Sequence, residues 1–198
     1  MTIRFLISAV VALFMLAAAS GCARSPRVNF YTLSAMAPEA ASPATPLRTV
    51  AVGPVTLPEL VDRPQLVIRV AADRVDIVET ERWAEPLKSE IPRLLAENLA
   101  RLLRPARVST IDQGESRDAE YRVLVDIQRF ESELGKGVTL DALWSVGRGL
   151  SIAAPRKGRS LVHEPADGTG YEALVAAHGR ALAALSGDIA RALRQEEK

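Results

Sequence analysis

Apolar and polar side chains alternate along two neighbouring stretches of this sequence, and this pattern restricts the fold more than any other feature. The alternation covers residues 121–128 and 138–144, with Gly135 and Gly137 in the turn-like segment between them. Successive side chains of a strand point to opposite faces, so a period of two predicts strands that are buried on one face. The two stretches therefore predict an antiparallel hairpin. The first stretch places Arg122, Leu124, Asp126 and Gln128 on its less apolar face.

Further β-prone stretches lie on both sides of this hairpin. They are bounded by glycine, proline or polar residues, as strands usually are. A turn is expected at residues 155–158. Residues 35–47, which are rich in alanine, proline and serine, have no periodicity and predict a flexible loop. The predicted strands are residues 28–33, 47–55, 65–70, 74–79, 106–111, 150–152 and 160–162.

Two other stretches have the period of a helix. In the first, apolar residues recur every three or four positions from Leu87 to Leu103, which places them along one stripe of a helix. Pro86 suits a first turn, Pro92 predicts a kink or a helix that begins near it, and Pro105 ends the element. The acidic residues expected on the solvent-facing side are Glu85, Glu90 and Glu97.

The second helix is predicted near the C-terminus. Thr169 and Glu172 have the spacing of a capping box, and Arg180, Arg191 and Arg194 are expected to point outward. One sheet with amphipathic helices packed on a face defines an α+β domain. We therefore predict a single domain over residues 28–198, with a strand-rich, mainly antiparallel or mixed sheet and two helices. The inner stripe of the second helix is Tyr171, Leu174, Val175, His178, Leu182, Leu185, Ile189 and Leu193.

Residues 1–21 predict a secretory signal peptide of the lipoprotein type. Arg4 gives the N-terminus a positive charge, and the apolar run over residues 5–19 is shorter than the about 20 residues that span a bilayer. Small residues then lead to the single cysteine, and residues 19–22 are similar to the lipobox that bacterial lipoprotein signal peptidase cleaves. We therefore predict cleavage between Gly21 and Cys22.

Lipid attachment at Cys22 follows from that cleavage. A thiolate is the best alkylation nucleophile among side chains, so we predict diacylglycerol on the thiol, an N-acyl chain on the new amino group, and a tether over residues 22–27. Several acyl chains give stable anchoring. Ala19 stands where leucine is commonest, so an ordinary signal peptide with an incidental free cysteine is the alternative. Ala23, in place of aspartate, favours the outer membrane.

Charge and cysteine content exclude two classes of protein. Removal of the signal peptide takes Arg4 from the 25 basic residues and so leaves 24 basic and 24 acidic residues. This balance gives no electrostatic basis for binding nucleic acid. Without a second cysteine the domain forms no internal disulfide, so its stability must come from burial. The body of the protein is predicted to be a soluble domain tethered by lipid.

No motif with catalytic or metal-ligand spacing is evident. His163 and His178 lack the further ligands that a zinc site needs. Ser151 lies in an approximate G-x-S-x-G pattern, but that elbow requires a strand, a turn and a helix, whereas Ser151 lies in a β-like stretch. Trp83, beside a helix start, is predicted to be a core residue. We therefore predict a protein that is not an enzyme and needs no cofactor or metal.

Short motifs in a fixed order resemble one known family. They are FYTL at residues 30–33, VGPV at 52–55, LPEL at 57–60, DRPQ at 62–65, RWAEPL at 82–87 and LAENL at 95–99. Trp144 and the apolar residues of 171–190 are similar to the late strand and closing helix of the same family. Together they resemble the PqiC-type auxiliary lipoproteins of ABC-linked MCE transport systems, which are associated with membrane integrity.

The resemblance implies a non-enzymatic lipoprotein on the periplasmic face of the outer membrane. Its partners would be an MCE-domain protein, which forms a periplasmic conduit for phospholipids or other hydrophobic molecules, and the inner-membrane components of that system. The resemblance also implies self-association, of the kind that can form a ring. This chain would then dock the conduit at the outer membrane, with no role in nucleic-acid binding.

The loop over residues 57–65 is the predicted partner-binding segment, because loops on rigid scaffolds often carry recognition. The alternative is a connecting loop whose two leucines fold back into the core. Two rival functions also remain: a stand-alone periplasmic lipoprotein that binds lipid or another hydrophobic ligand, and a periplasmic hydrolase that uses Ser151 or a histidine. The predicted partner contacts are Leu57, Pro58, Leu60, Arg63 and Gln65.

Overall fold

The computed structural model describes residues 25–39, 49–111, 118–149 and 154–196. The predicted signal peptide, Cys22, Ser151 and most of the predicted flexible loop lie outside these residues. The elements in chain order are β1 (Asn29–Tyr31), β2 (Thr49–Thr56), β3 (Gln65–Ala71), β4 (Arg74–Trp83), α1 (Leu87–Leu102), β5 (Arg107–Thr110), β6 (Tyr121–Glu133), β7 (Gly137–Arg148), β8 (Arg156–Pro165) and α2 (Tyr171–Glu196).

All these strands belong to one mixed sheet with β6 near its centre. One side of β6 pairs antiparallel with β7, which pairs antiparallel with β8. The other side pairs parallel with β2 near the start of β6 and with β3 near its end; β5 lies beyond β2, and β4 and β1 lie beyond β3. The predicted hairpin is confirmed as β6–β7, with Val125 opposite Trp144. The α+β class with a mixed sheet is also confirmed.

Both helices pack on the same face of this sheet and against each other. The alternation along β6 explains why: Val123, Val125 and Ile127 are buried beneath the helices, whereas Leu124 lies on the opposite face and is exposed. Trp83 is buried and its ring packs edge-on against His178 at 5.5 Å, so its predicted core position is confirmed. β8 begins at Arg156, so the turn expected at residues 155–158 is wrong.

Helix α1 runs through Pro92 rather than beginning near it. Proline inside a helix lacks the N–H that would donate to the preceding turn. Ile91 is the residue directly before this proline, and Leu87 is the first residue of the helix. Both are fully buried in the core. Burial of these two side chains favours the helical first turn that the proline alone would disfavour.

Glu90 is buried, which contradicts the prediction that it faces solvent. Its Oε1 accepts a hydrogen bond from the Leu33 backbone N–H at 2.7 Å, and Asn98 Oδ1 accepts from Met36 and Ala37 in the same way. Desolvation raises the pKa of Glu90. These two α1 side chains hold the chain after β1 against the helices. Glu85 and Glu97, in contrast, are exposed as predicted.

Six of the eight residues predicted for the inner stripe of α2 are buried, whereas Tyr171 and Val175 are half-buried. The helix begins at Tyr171, and Leu174 N donates to the Gly170 carbonyl, so it begins one residue later than the capping box requires. Arg194 was expected to point outward, but it is half-buried and its Nη2 donates to the Leu102 carbonyl at 2.6 Å. It thereby binds the C-terminal end of α1.

Candidate functional site

Three exposed leucines form a stripe across the sheet face opposite the helices, which we call the open face. Leu124 on β6, Leu143 on β7 and Leu161 on β8 are 43%, 44% and 65% exposed. Leu124 is opposite Ser145, and Leu143 is opposite Arg159, so each leucine is a diagonal neighbour of the next. We call these three residues the leucine stripe. Several exposed apolar side chains grouped on one face in this way are typical of an interaction surface.

A groove of about 630 Å³ lies beside this stripe. Its lining comes from β2, β6, β7 and β8 and includes Pro54, Leu124, Leu143 and Lys157. At its rim, Thr56 Oγ1 donates to Asp126 at 2.5 Å, which ties β2 to β6. The volume lies within the range of small-molecule pockets. The open face therefore offers a concave apolar surface as well as a flat one.

Paired charges lie beside the leucine stripe and also within it. Arg159 donates to both oxygens of Asp141, at 2.8 and 2.6 Å, and this pairing lowers the pKa of the Asp141 carboxyl. Because Arg159 is opposite Leu143 and Asp141 is opposite Leu161, this ion pair lies between the two leucines. Glu131 accepts from both Arg69 and Arg129, at 2.8 and 2.7 Å; desolvation opposes the effect, but these two hydrogen bonds lower the pKa of Glu131 overall. A non-obligate protein interface is about as apolar as the rest of a protein surface, so leucines mixed with paired charges are compatible with one.

A hydrogen-bond chain fixes the strands under the groove to α2. Trp144 Nε1 donates to Ser160 Oγ at 3.0 Å, and Ser160 Oγ donates to Asp188 Oδ2 at 2.5 Å. The indole lies directly over Gly158, where an added Cβ would be 2.2 Å from Trp144 Cζ2. Only glycine therefore lets β8 approach the tryptophan this closely.

Replacing Gly158 with alanine should displace the Trp144 indole and destabilise the domain by about 1–3 kcal/mol, as overpacking usually does. Urea unfolding measures the loss, and near-UV circular dichroism reports the tryptophan. Gly187→Ala is the matched control, because the nearest heavy atom to its new Cβ is 3.8 Å away. It removes a helix-interior glycine and should stabilise the protein by about 0.5–1 kcal/mol. Equal stability of the two variants would contradict this role of Gly158.

The predicted partner-binding loop directly follows the groove residue Thr56. Its turn is ordered by the Pro58 carbonyl, which accepts from the N–H groups of Val61 and Asp62. Leu57 packs against the core, as the alternative for this loop expects, whereas Leu60 remains exposed. The partner role of this loop stays a prediction.

The two remaining loop residues, Arg63 and Gln65, make different hydrogen bonds within the domain. Gln65 Nε2 donates to Glu79 at 3.1 Å across the β3–β4 hairpin. Arg63 is half-buried, and its backbone N–H donates to the Val61 carbonyl at 2.9 Å. Leu60 is therefore the loop leucine that a partner can reach without rearrangement of the core.

A serine–histidine pair exists in the structure, but sequence reasoning did not find it. Ser132 Oγ lies 2.8 Å from His178 Nε2, and His178 is only 1% exposed. Desolvation lowers the pKa of His178 to about 3, so the imidazole is neutral at physiological pH. Its Nδ1 has no hydrogen-bond partner among the described residues. The pair is enclosed by Trp83 and Phe130, which leaves no access for a substrate.

Within the described part of the chain, no group of three histidine, cysteine or carboxylate side chains is placed to hold a metal ion. His163, on the exposed strand β8, has Thr139 Oγ1 3.2 Å from its Nδ1. Neither of the two described helices is long and apolar enough to cross a membrane.

The architecture is thus that of a two-layer α+β domain whose sheet presents an open face with an apolar stripe. The family profile of the ABC-type transport auxiliary lipoprotein component matches residues 31–190, so the chain belongs to this family. No curated protein matches the sequence significantly.

Solved structures share the fold at low sequence identity. A crystal structure of an uncharacterised protein is similar with a TM-score of 0.71 and 20% identity, over 85% of this chain and 99% of that chain. A Xanthomonas campestris protein of the DUF330 family has a TM-score of 0.69 and 17% identity, over 86% and 98%. A PelC dodecamer from Paraburkholderia phytofirmans has a TM-score of only 0.40 and 10% identity, over 79% and 94%.

Proposed function

We propose that this chain is an outer-membrane-anchored periplasmic lipoprotein that acts as the docking subunit of an ABC-linked MCE-type intermembrane lipid transport system. Membership of the auxiliary lipoprotein family supports the transport role, and the resemblance to PqiC-type proteins supports the MCE partner. The observation that carries the proposal is the leucine stripe, because its three exposed leucines lie among paired charges on a helix-free face.

The mechanism is geometric rather than chemical. Diacylglycerol and an N-acyl chain on Cys22 attach each copy to the membrane, and the open face presents an apolar contact to the end of the conduit. A symmetric oligomer would present many copies of one contact. Many weak contacts acting together bind more tightly than a single copy does.

The edges of the sheet support self-association. Of the large apolar side chains in the described residues, Phe30 and Leu161 are the most exposed, each at 65%. Phe30 lies on β1 and Leu161 on β8, at opposite edges of the sheet. A head-to-tail contact in which the β8 edge of one copy pairs with the β1 edge of the next would cover the Phe30 ring and leave Leu161, which lies on the open face, exposed. A repeated contact of this type generates a ring if its rotation closes.

Light scattering on the chain without residues 1–22 tests the proposal. The mass should be that of a defined oligomer, and it should increase on addition of the periplasmic part of the MCE partner. The proposed contact between sheet edges requires the oligomer, and the proposed contact at the open face requires the increase in mass. A monomer that does not bind the partner would contradict the docking function.

Replacing Cys22 with serine should remove the protein from the membrane. Serine offers no thiolate for alkylation, so neither acyl chain can be attached through this route. Cell fractionation with immunoblotting should find the variant outside the outer-membrane fraction, and mass spectrometry should find acyl chains on the wild type only. A variant that remained in the outer membrane would contradict the anchor at Cys22.

The groove favours a second candidate function, that of a stand-alone lipoprotein that binds lipid or another hydrophobic ligand. Its volume of about 630 Å³ and the leucines in its wall fit part of an acyl chain. Mass spectrometry of the purified chain lacking residues 1–22 distinguishes the two functions. Stoichiometric co-purified lipid without partner binding would favour this second function, and partner binding without lipid would favour docking.

A further inference from the structure

The direction in which the chain enters β1 is fixed by the sheet. β1 pairs parallel with β4, and Asn29 lies opposite Glu81. The Glu81 carboxylate accepts hydrogen bonds from Asn29 Nδ2 at 3.0 Å and from the Tyr31 hydroxyl at 2.6 Å. Since β4 begins at Arg74, the residues before Asn29 approach β1 from the side of the β3–β4 turn.

Several connections meet at that end of the molecule, which we call the turn end. It contains the β3–β4 turn at residues 71–74, the β6–β7 turn at residues 134–136 and the β8–α2 connection at residues 166–170. The β8–α2 connection begins beside the β6–β7 turn, because Gly137 lies opposite Pro165. The turn end is thus one continuous surface perpendicular to the strands.

The tether between Cys22 and Asn29 is short. Its seven residues span at most about 25 Å when fully extended. The stretch of β4 from Glu81 back to Arg74 covers about 23 Å at 3.3 Å per residue. A lipid-anchored Cys22 therefore reaches only to the level of the turn end. The tether would have to reverse its direction to bring the opposite end of the sheet to the membrane.

The turn end carries apolar side chains of its own. Val70 and Leu134 are 42% and 40% exposed. They line a recess of about 300 Å³ together with Val78 and the half-buried ring of Tyr171, and charged residues complete its wall: Arg69, Asp76, Glu133 and Lys136. The four apolar or aromatic side chains come from β3, β4, the β6–β7 turn and the first turn of α2. A tyrosine beside apolar residues is typical of a membrane interface, where one part of its ring is dry and the hydroxyl is wet.

Charge does not select the ligand at the turn end. Lys136 pairs with Glu133, the exposed Asp167 pairs with Arg180, and the cation Arg74 lies beside Asp73 in the same turn. Charges of both signs do not concentrate anionic lipids, so the contact must be apolar. We propose that the turn end is a membrane-contacting surface that places Val70 and Leu134 in the interfacial region of a phospholipid bilayer. This inference rests on the lipid anchor at Cys22 in the proposed function.

The contact would set the orientation of the domain. With the turn end on the lipid surface, the strands stand away from the membrane and the open face points sideways into the periplasm. The leucine stripe then remains free for a partner protein. A long flexible tether would not fix such an orientation, whereas the acyl chains and the turn end together provide two points of attachment.

Fluorescent labelling of the full lipidated chain tests this surface. Because acylation consumes the Cys22 thiol, an introduced cysteine is the single labelling site. Leu134→Cys and its matched control Leu161→Cys are each labelled with the environment-sensitive dye NBD and reconstituted in vesicles of phosphatidylethanolamine with phosphatidylglycerol. The label at position 134 should shift its emission to shorter wavelength and lose intensity to doxyl-labelled lipid, and the label at 161 should do neither. Val70→Cys serves as a second reporter.

The possible results separate this inference from the proposed function. Equal quenching at positions 134 and 161, or quenching at 161 alone, in a chain whose acylation is confirmed by mass spectrometry would overturn the membrane-contacting surface only. A wild-type chain that takes up the dye at Cys22 and stays in solution would overturn both the lipid anchor and this inference.

Discussion

Replacing Leu124 and Leu143 together with aspartate should weaken binding of the MCE partner by at least about thirtyfold, the loss typical of an interface hot spot worth 2 kcal/mol. Both side chains are more than half buried, so their replacement should also lower the free energy of unfolding by about 2 kcal/mol. Circular dichroism therefore has to show that the variant is folded at the temperature of the binding measurement. Calorimetric titration with the periplasmic part of the partner measures the binding.

Two comparison variants make this experiment specific. Leu134→Asp introduces one negative charge, half that of the double variant, at a leucine of similar exposure away from the open face, and it should bind the soluble partner normally. The pair Leu60→Ala and Arg63→Ala tests the predicted loop separately. Loss of binding in the loop variant alone would move the docking site from the open face to residues 57–65. Loss of binding in the Leu134 variant would show that added charge, rather than the stripe, is responsible.

Acidification should destabilise the wild type through His178. Burial lowers the pKa of this imidazole to about 3 in the folded protein, whereas it titrates near 6.5 in an unfolded chain. Between these values the unfolded chain binds the proton that the folded protein excludes, so stability falls as the pH falls through this window. The contribution is at most about 1.4 kcal/mol per pH unit.

The variant His178→Gln isolates this contribution. It should be less stable than the wild type at pH 7.5, because the ring contacts with Trp83 and Phe130 are lost, and the difference should shrink progressively below pH 6.5. Urea unfolding at several pH values measures it. Leu182→Ala, one turn further along α2, should lose about 2–5 kcal/mol at every pH. A pH-independent difference for the histidine variant as well would contradict the buried neutral imidazole.

The case of Glu90 shows where sequence reasoning was incomplete. The residue is three positions after Leu87 and four before Leu94, so its spacing places it on the buried stripe of α1. The charge of the side chain favours exposure to solvent, whereas its spacing favours burial in the core. The Leu33 N–H, 57 residues away in sequence, supplies the hydrogen bond that makes burial acceptable. A local sequence pattern cannot reveal a hydrogen-bond partner that is so distant along the chain.

The position of Leu124 in the sequence pattern is unusual enough to indicate a site, although no site was predicted there. It is the single apolar residue on the less apolar face of the alternation over residues 121–128. Its neighbours Leu143 and Leu161 are on other strands, so the stripe exists only through the β6–β7 and β7–β8 registers. A shift by one residue would move any of them to the other face.

The sequence by itself determined the hairpin, both helices, the family resemblance and the neutral charge, because these depend on spacings within one stretch of chain. Only the tertiary structure decided the burial of Glu90, the contact between Ser132 and His178, and the assembly of the leucine stripe. Each of these joins residues far apart in sequence. Their energies depend on which backbone groups and side chains the sheet register and helix packing bring together.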